Sequence, residues 1–168
     1  MIHVCSLARL HSTVKITGAR HIVTLLGLDD EIDRPASVPA GNHLFLRMHD
    51  IAEPLDGHVA PDAKHVADLI RFVHGWDQRA PLVVHCWAGI SRSTAAAFVS
   101  VCALKPQREE REIAQALRSV SPTATPNPRI VAFADAMLDR KGRMIAAIDS
   151  IGRGQTAAEG VPFRLDLT

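Results

Sequence analysis

The sequence predicts an α/β fold with a central, mostly parallel sheet of four to five strands flanked by helices. In the first half of the 168 residues, short apolar segments of strand length alternate with segments of helical period. That order builds a parallel sheet covered on both faces. Helical segments dominate the second half. One apolar segment, Pro81-Leu82-Val83-Val84, runs into a turn and then an alanine-rich stretch. Open α/β sheets place ligands at such a strand-to-helix junction, at the C-terminal ends of their strands.

Taken in order, residues 2–7 read as a first strand and 8–19 as a helix ending at Gly18-Ala19. Residues 21–26 form a second apolar strand closed by Gly27. Residues 29–41 carry Asp29, Asp30, Glu31, Asp33, Pro35, Pro39 and Gly41, the composition of a loop. Residues 43–48 read as a third strand. Residues 62–76 place Val66, Leu69, Ile70 and Val73 on one helical face, with Pro61 and Asp62 suited to its first turn. A fourth strand, 82–85, leads to an alanine-rich helix over 94–103, and Pro106 breaks the chain after it.

A further helix over 107–120 places Ile113, Ala116, Leu117 and Val120 on one face. Residues 121–128 are a proline-rich turn. A last helix, 128–151, faces inward with Ile130, Phe133, Ala134, Met137 and Leu138, and Gly142 is its point of interruption. Residues 1–151 are thus expected to form a single domain. Residues 152–168 form a tail in which Phe163, Leu165 and Leu167 alternate, as in an edge strand or an ordered terminus.

Composition narrows the function. A chain of this length buries one core and is short for two domains. Its formal charge of +1 gives no electrostatic case for nucleic acid or an anionic membrane surface. No apolar run is long enough to span a bilayer, and residues 1–10 lack the pattern of a signal peptide. Three cysteines, an odd and sparse set, suit a reducing compartment and a cytoplasmic protein. The nine histidines are scattered, without His-Glu-x-x-His or a close Cys-His cluster. Neither a metal site nor a cofactor is expected.

The run His85-Cys86-Trp87-Ala88-Gly89-Ile90-Ser91-Arg92-Ser93 carries the chemistry. A cysteine, five residues and an arginine, set between a strand end and a helix start, make an oxyanion cradle. The turn's N–H groups point inward and the helix N-terminus adds its positive dipole end. Arg92 supplies a planar fork for two phosphate oxygens. The same field favours the thiolate of Cys86. A thiolate beneath a bound phosphate is placed for nucleophilic phosphoryl transfer. A buried structural cysteine would leave Arg92 unexplained.

This run resembles the active-site signature of the cysteine-dependent protein tyrosine and dual-specificity phosphatases: His-Cys, five residues including a glycine, Arg, then Ser or Thr. His85, Cys86, Gly89, Arg92 and Ser93 fill every position. The resemblance is strong over residues 43–138, weak before them and absent in the tail. It implies a dual-specificity phosphatase fold. It also implies hydrolysis of phosphate monoesters, in phosphotyrosine or phosphoserine and phosphothreonine of proteins, through a Cys86 phosphocysteine. Arg92 would clamp the phosphate, and the loop Trp87, Ala88, Gly89, Ile90, Ser91 would surround it. Phosphate, sulfate or vanadate would bind there.

In that family an Asp on a separate loop, a few tens of residues before the Cys, protonates the leaving oxygen. Asp50 fits, since 86 − 50 = 36, and it ends the third strand. Asp56, in the middle of the following loop, is the competitor. A turn carboxylate is the plain reading of either. The resemblance gives Ser93 a hydrogen bond to the Cys86 sulfur that eases its departure. It gives His85 a part in orienting the loop; as the strand neighbour of Cys86, His85 points to the opposite face and is not a base. Asn127, in Thr125-Pro126-Asn127-Pro128, resembles an element whose side chain braces the phosphate loop, and equally suits an N-cap. Cys102 reads as core. Cys5 does too, with a protective disulfide to Cys86 as the alternative.

The chain contains no tyrosine. The resemblance therefore favours a shallow, dual-specificity-like pocket over the larger tyrosine-specific enzymes, which stack a tyrosine on the substrate ring. Trp87, Ala88, Ile90 and Ser91 carry no positive charge, which lowers the case for polyphosphorylated lipids or inositols. The mid-chain loop disfavours the low-molecular-weight phosphatases and arsenate reductases. Two other readings stand beside the phosphatase: a rhodanese-like sulfurtransferase and a non-catalytic phosphate-binding module. Persulfide formation on Cys86 would mark the first. The second would bind oxyanions without turnover.

Overall fold

Five strands assemble in the order β3-β2-β4-β1-β5 in a computed structural model that describes residues 1–167. They are β1 (Ile2–Ser6), β2 (His21–Leu26), β3 (His43–Arg47), β4 (Leu82–Cys86) and β5 (Phe163–Leu165). The first four are mutually parallel, and β5 runs antiparallel along β1. β4 is therefore central, and all five of its residues are buried. This is the burial that its continuous apolar run requires. The sheet is mixed, with a single antiparallel edge.

The two faces are covered unequally. On one face α1 (Leu10–Thr17) and the loop through Val38 enclose a small cluster with Cys5, Ile22 and Val83. The other face carries the main core under α2 (Ala63–Gly75), α3 (Arg92–Leu104), α4 (Glu110–Val120), α5 (Pro128–Met137) and α6 (Arg143–Ile151). From Arg92 to Ala103 every residue of α3 is buried. Its small Ala95, Ala96 and Ala97 let a helix lie centrally between sheet and outer helices. Among the described residues no helix is long and apolar enough to cross a membrane.

Several sequence expectations need correcting. Asp62 is the N-cap of α2, outside its first turn: its carboxylate accepts from the His65 N–H (2.9 Å), and the His65 ring accepts from the Asp62 N–H (3.2 Å). The helix expected over 107–120 starts only at Glu110. Met137, expected inward, is 41% exposed, because it is the last residue of its helix.

The helix expected over 128–151, with its interruption at Gly142, is indeed two helices, and Gly142 caps the second. Between them Asp139, Lys141 and Gly142 take positive φ. The bend lets Arg140 turn inward, where it donates to the Cys102 carbonyl (2.7 Å) and to buried Glu110 (3.0 Å). Asp135 caps the second helix through the N–H groups of Gly142 (2.7 Å) and Met144 (2.9 Å). A continuous helix would forfeit this buried polar network.

Candidate active site

β4 ends at Cys86, between Ser6 of β1 and the end of β2. Alternation along the strand turns Cys86 toward the main core and His85 to the opposite face. His85 is fully buried. Its Nε2 shares a hydrogen bond with Thr24 Oγ1 (2.7 Å), which in turn meets His43 Nε2 (2.8 Å). Thr24 has one hydroxyl proton, so it donates to one imidazole and accepts from the other. The three residues form a bridge across β3, β2 and β4 that is buried at Thr24 and His85 and partly buried at His43.

Burial, the largest cause, pushes the His85 imidazole from 6.5 down to about 4. Between these values the unfolded chain binds a proton that the folded chain refuses, so stability rises with pH across this window. The contribution is complete above the ordinary histidine value and is lost as pH falls to about 4. Integrated over that shift it amounts to about 3 kcal/mol. In an NMR titration the His85 ring is expected to stay neutral down to about pH 5. Titration at its ordinary value would show that the ring is not held this way.

Beyond Cys86 the chain turns over the end of β1. Gly89 has φ +74°, and a Cβ there would lie 2.8 Å from backbone atoms of Cys5 and Ser6. No other residue fits this position without displacing β1. The loop carbonyls are engaged on its outer side. Trp87 O accepts from the Leu7 N–H (3.1 Å), Ala88 O from Gly160 (2.9 Å), Ile90 O from Thr125 (3.0 Å) and Ser91 O from Ala95 (3.0 Å). Among the described residues, the N–H groups from Ala88 to Ser91 donate to no protein acceptor. A loop with its carbonyls turned out and its amides free is an anion-binding nest. It opens directly into the N-terminus of α3.

Cys86 Sγ lies 3.1 Å from Ser93 Oγ, and both are buried. Arg92 is 7% exposed. Its Nη1 donates to the Met48 carbonyl at the end of β3 (2.7 Å), while its buried Nε has no partner among the described residues. Cys5 and Cys102 are free and buried, and burial pushes both thiols up to about 12. Among the described residues no group of three His, Cys, Asp or Glu is placed to hold a metal ion. The donors gathered here suit an anion.

Asp50 lies at the rim. Its Oδ1 accepts from Ser91 Oγ (2.7 Å) and from Asn127 Nδ2 (2.9 Å). Asn127 is 3% exposed and works in two directions. Its Oδ1 caps α5 through the N–H groups of Arg129 (3.1 Å) and Ile130 (3.2 Å). Its Nδ2 holds Asp50 and the Ile51 carbonyl (3.3 Å). The side chain thus reaches the Asp50 loop; the contact to the phosphate loop comes from the Asn127 backbone, whose N–H donates to Ser91 O (3.3 Å). Asp56 is exposed on the following loop, and its side chain has no hydrogen-bond partner among the described residues.

Three features have no signal in the sequence. They are the Thr24–His43 bridge, the Met48 carbonyl that anchors Arg92, and the return of residues 153–157 of the tail to the site. Residues 153–157 of that tail line a cavity of about 340 Å³ together with Asp50, Ser91 and Asn127.

Residues 45–125 match the protein-tyrosine phosphatase family, a span that includes Asp50, Cys86 and Arg92. No curated protein matches the chain. Among solved structures, DUSP15 is similar at 18% identity, covering 89% of each chain, with a TM-score of 0.66. The phosphatase domain of Yvh1 from Chaetomium thermophilum is 18% identical, over 85% of this chain and 93% of its own, with a TM-score of 0.64. A human tyrosine phosphatase-like serine/threonine/tyrosine-interacting protein is 16% identical, over 83% and 92%, with a TM-score of 0.65. Cys86 and Arg92 lie inside the span that is similar to the protein-tyrosine phosphatase family, and the chain shares the dual-specificity-phosphatase-like fold of these structures.

Proposed function

We propose that this protein hydrolyses phosphate monoesters, with phosphotyrosine or phosphoserine and phosphothreonine in proteins as its substrates, through a phosphocysteine on Cys86. The observation that carries this reading is the divided state of Arg92. One nitrogen is fixed to a backbone carbonyl, and another is buried without an acceptor in the turn that also holds Cys86. A buried donor left unpaired costs stability. A phosphate oxygen satisfies it and completes the two-point grip of a guanidinium.

In the first step the Cys86 thiolate attacks phosphorus, and the phosphorus–oxygen bond to the leaving group breaks. Asp50 gives its proton to the departing oxygen. The free loop N–H groups and Arg92 stabilise charge on the transferring phosphoryl oxygens. In the second step water attacks the phosphocysteine, Asp50 takes its proton, and inorganic phosphate leaves. The Ser93 hydroxyl, already 3.1 Å from the sulfur, supports the returning thiolate. A structural neighbour, a mouse putative dual specificity phosphatase, is complexed with zinc tungstate, and a tetrahedral oxyanion of that kind suits this loop. PTPMT1, another neighbour, is complexed with PI(5)P. The uncharged residues Trp87 to Ser91 favour a protein phosphate over such a lipid. A thiolate nucleophile also supports a reducing, cytoplasmic setting.

Asp50→Asn tests the assignment through the leaving group. An acid matters most when the departing oxygen is a strong base. The variant is expected to lose about 10²-fold or more on phenyl phosphate and far less on a strongly activated nitrophenyl ester. The measurement is single-turnover rate against leaving-group pKa for wild type, Asp50→Asn and Asp56→Asn. A steepened slope in Asp56→Asn alone moves the role to Asp56, and unchanged slopes in both remove it from this loop. A phosphate-binding module without catalysis would turn over none of these esters.

A further inference from the structure

The two residues before Asp50 are fixed to different parts of the molecule. The Met48 N–H donates to the Leu26 carbonyl (2.7 Å), which carries the β2–β3 pairing past the end of β3. The His49 N–H donates to the Val59 carbonyl (2.8 Å), across the base of the largely exposed loop 50–58. In an antiparallel pair, two facing residues exchange both main-chain bonds. Here the return bond goes to a side chain: the Val59 N–H donates to His49 Nδ1 (2.9 Å). The ring thus takes the place of its own residue's carbonyl. A neutral imidazole that accepts at Nδ1 carries its hydrogen on Nε2.

The ring is held on two further sides. A Cβ on Gly27 would lie 3.5 Å from His49 Cδ2 and Nε2 and 3.1 Å from Asp30 Oδ2, so the chain just past β2 is the floor beneath the imidazole. Asp30 Oδ2 in turn accepts from the Gly27 N–H (2.8 Å). His58 meets the ring edge-on, with centroids 4.9 Å apart and planes at 68°. His58 also folds the loop on itself: its N–H donates to the Leu55 carbonyl (3.0 Å) and its Nδ1–H to the Asp56 carbonyl (3.1 Å). One imidazole therefore joins the end of β2 to both ends of the loop that begins with Asp50. Ser91 and Asn127 hold Asp50 from the opposite direction. A loop open at its base would spread Asp50 over many positions, and misplacing a reacting group by ~1 Å costs about 10²-fold in rate.

We propose that His49 is the positioning residue of the general acid: by closing the base of loop 50–58 through Val59, it delivers Asp50 preset at the leaving-group side of the phosphate site. This rests on the phosphatase reading above, with Asp50 as its acid. His49 acts through Asp50, since its own Nδ1 is engaged by Val59. Val59 is half-buried, so water can take over its N–H once the ring is gone. Losing the clamp therefore loosens the loop and leaves the fold standing.

The test is a double-mutant cycle on the full chain, read as single-turnover rates on phenyl phosphate and on a dinitrophenyl phosphate. His49→Leu removes the acceptor and keeps most of the bulk. It is expected to slow phenyl phosphate hydrolysis by about tenfold or more, and the activated ester by less than about twofold. In an Asp50→Asn background no acid is left to place, so the same substitution should cost less than about twofold on either ester. The amide oxygen of His49→Asn lies as many bonds from Cα as Nδ1 does, and this variant is expected to stay within about threefold of wild type on phenyl phosphate. Hydrogen exchange follows the clamp itself: the Val59 amide is protected in wild type and His49→Asn, and exchanges fast in His49→Leu. Equal losses on both esters, a loss that persists with Asp50→Asn, no loss at all, or no rescue by His49→Asn overturns the inference. A freely exchanging Val59 amide in wild type overturns it without reference to activity. Should wild type hydrolyse neither ester, the phosphatase reading itself has failed and the inference falls with it. With hydrolysis intact, each of the other failures removes only the role of His49.

Discussion

Cys86→Ser abolishes turnover of aryl phosphates while the fold stands. A serine hydroxyl stays almost fully protonated near neutral pH and is a poor replacement for a thiolate here. The loss is expected to exceed about 10⁴-fold, the scale seen when a covalent nucleophile is removed. The fold survives because the exchange changes one atom: the hydroxyl remains within reach of Ser93 Oγ, which now lies 3.1 Å from the sulfur. Steady-state hydrolysis and a denaturant midpoint on the same sample check both halves. Substantial residual turnover in an uncontaminated preparation sinks the covalent mechanism. A collapsed midpoint would mean that the thiol is chiefly a packing group.

Arg92→Lys is expected to lower kcat/KM by about 10²- to 10³-fold, the range for removing a preorganised oxyanion donor. The charge stays, but a lysine is a compact point charge without a fork. Arg92 holds the Met48 carbonyl through Nη1 and leaves Nε free for a second acceptor. One ammonium cannot reproduce both. Met48 lies two residues before Asp50, so releasing its carbonyl also relaxes the strand end that delivers the acid. The substitution should therefore lower affinity for vanadate and steepen the dependence of rate on leaving-group pKa. A kcat/KM within about threefold of wild type, below ~0.7 kcal/mol, would mean that Arg92 is not the clamp.

What could be read from the sequence follows the range of the interactions that specify it. β4 and the turn after it were legible because the chemistry needs Cys86, Gly89, Arg92 and Ser93 at fixed local spacing. The alanine run of α3 was legible because small residues and helical period are local properties. Asp50 was legible as a candidate because a strand end at the same sheet edge brings it near. Its partnership with Ser91 and Asn127 was not, since it joins three distant segments. The Thr24–His43–His85 bridge depends on the parallel register of three strands, which no single segment encodes. The break after α5 was legible at Gly142, but the network it serves was not: Arg140 and Asp135 look like ordinary helix residues until Glu110 and the start of α6 are brought to them. The return of the tail to the loop rests on close backbone contacts at Gly154 and Gly160, and a glycine in sequence signals only freedom.

The central claim is that Cys86, Arg92, the loop amides and Asp50 converge on one phosphoryl group. A crystal structure with vanadate, which adopts the five-coordinate geometry of phosphoryl transfer, tests it most directly. Vanadium is expected to bond to Cys86 Sγ, with equatorial oxygens held by Arg92 Nε and the N–H groups of residues 88–91 and the apical oxygen opposite sulfur within hydrogen-bonding reach of Asp50. Vanadate bound away from Cys86, or bound there with Asp50 turned from the apical oxygen while another acid faces it, would contradict the account.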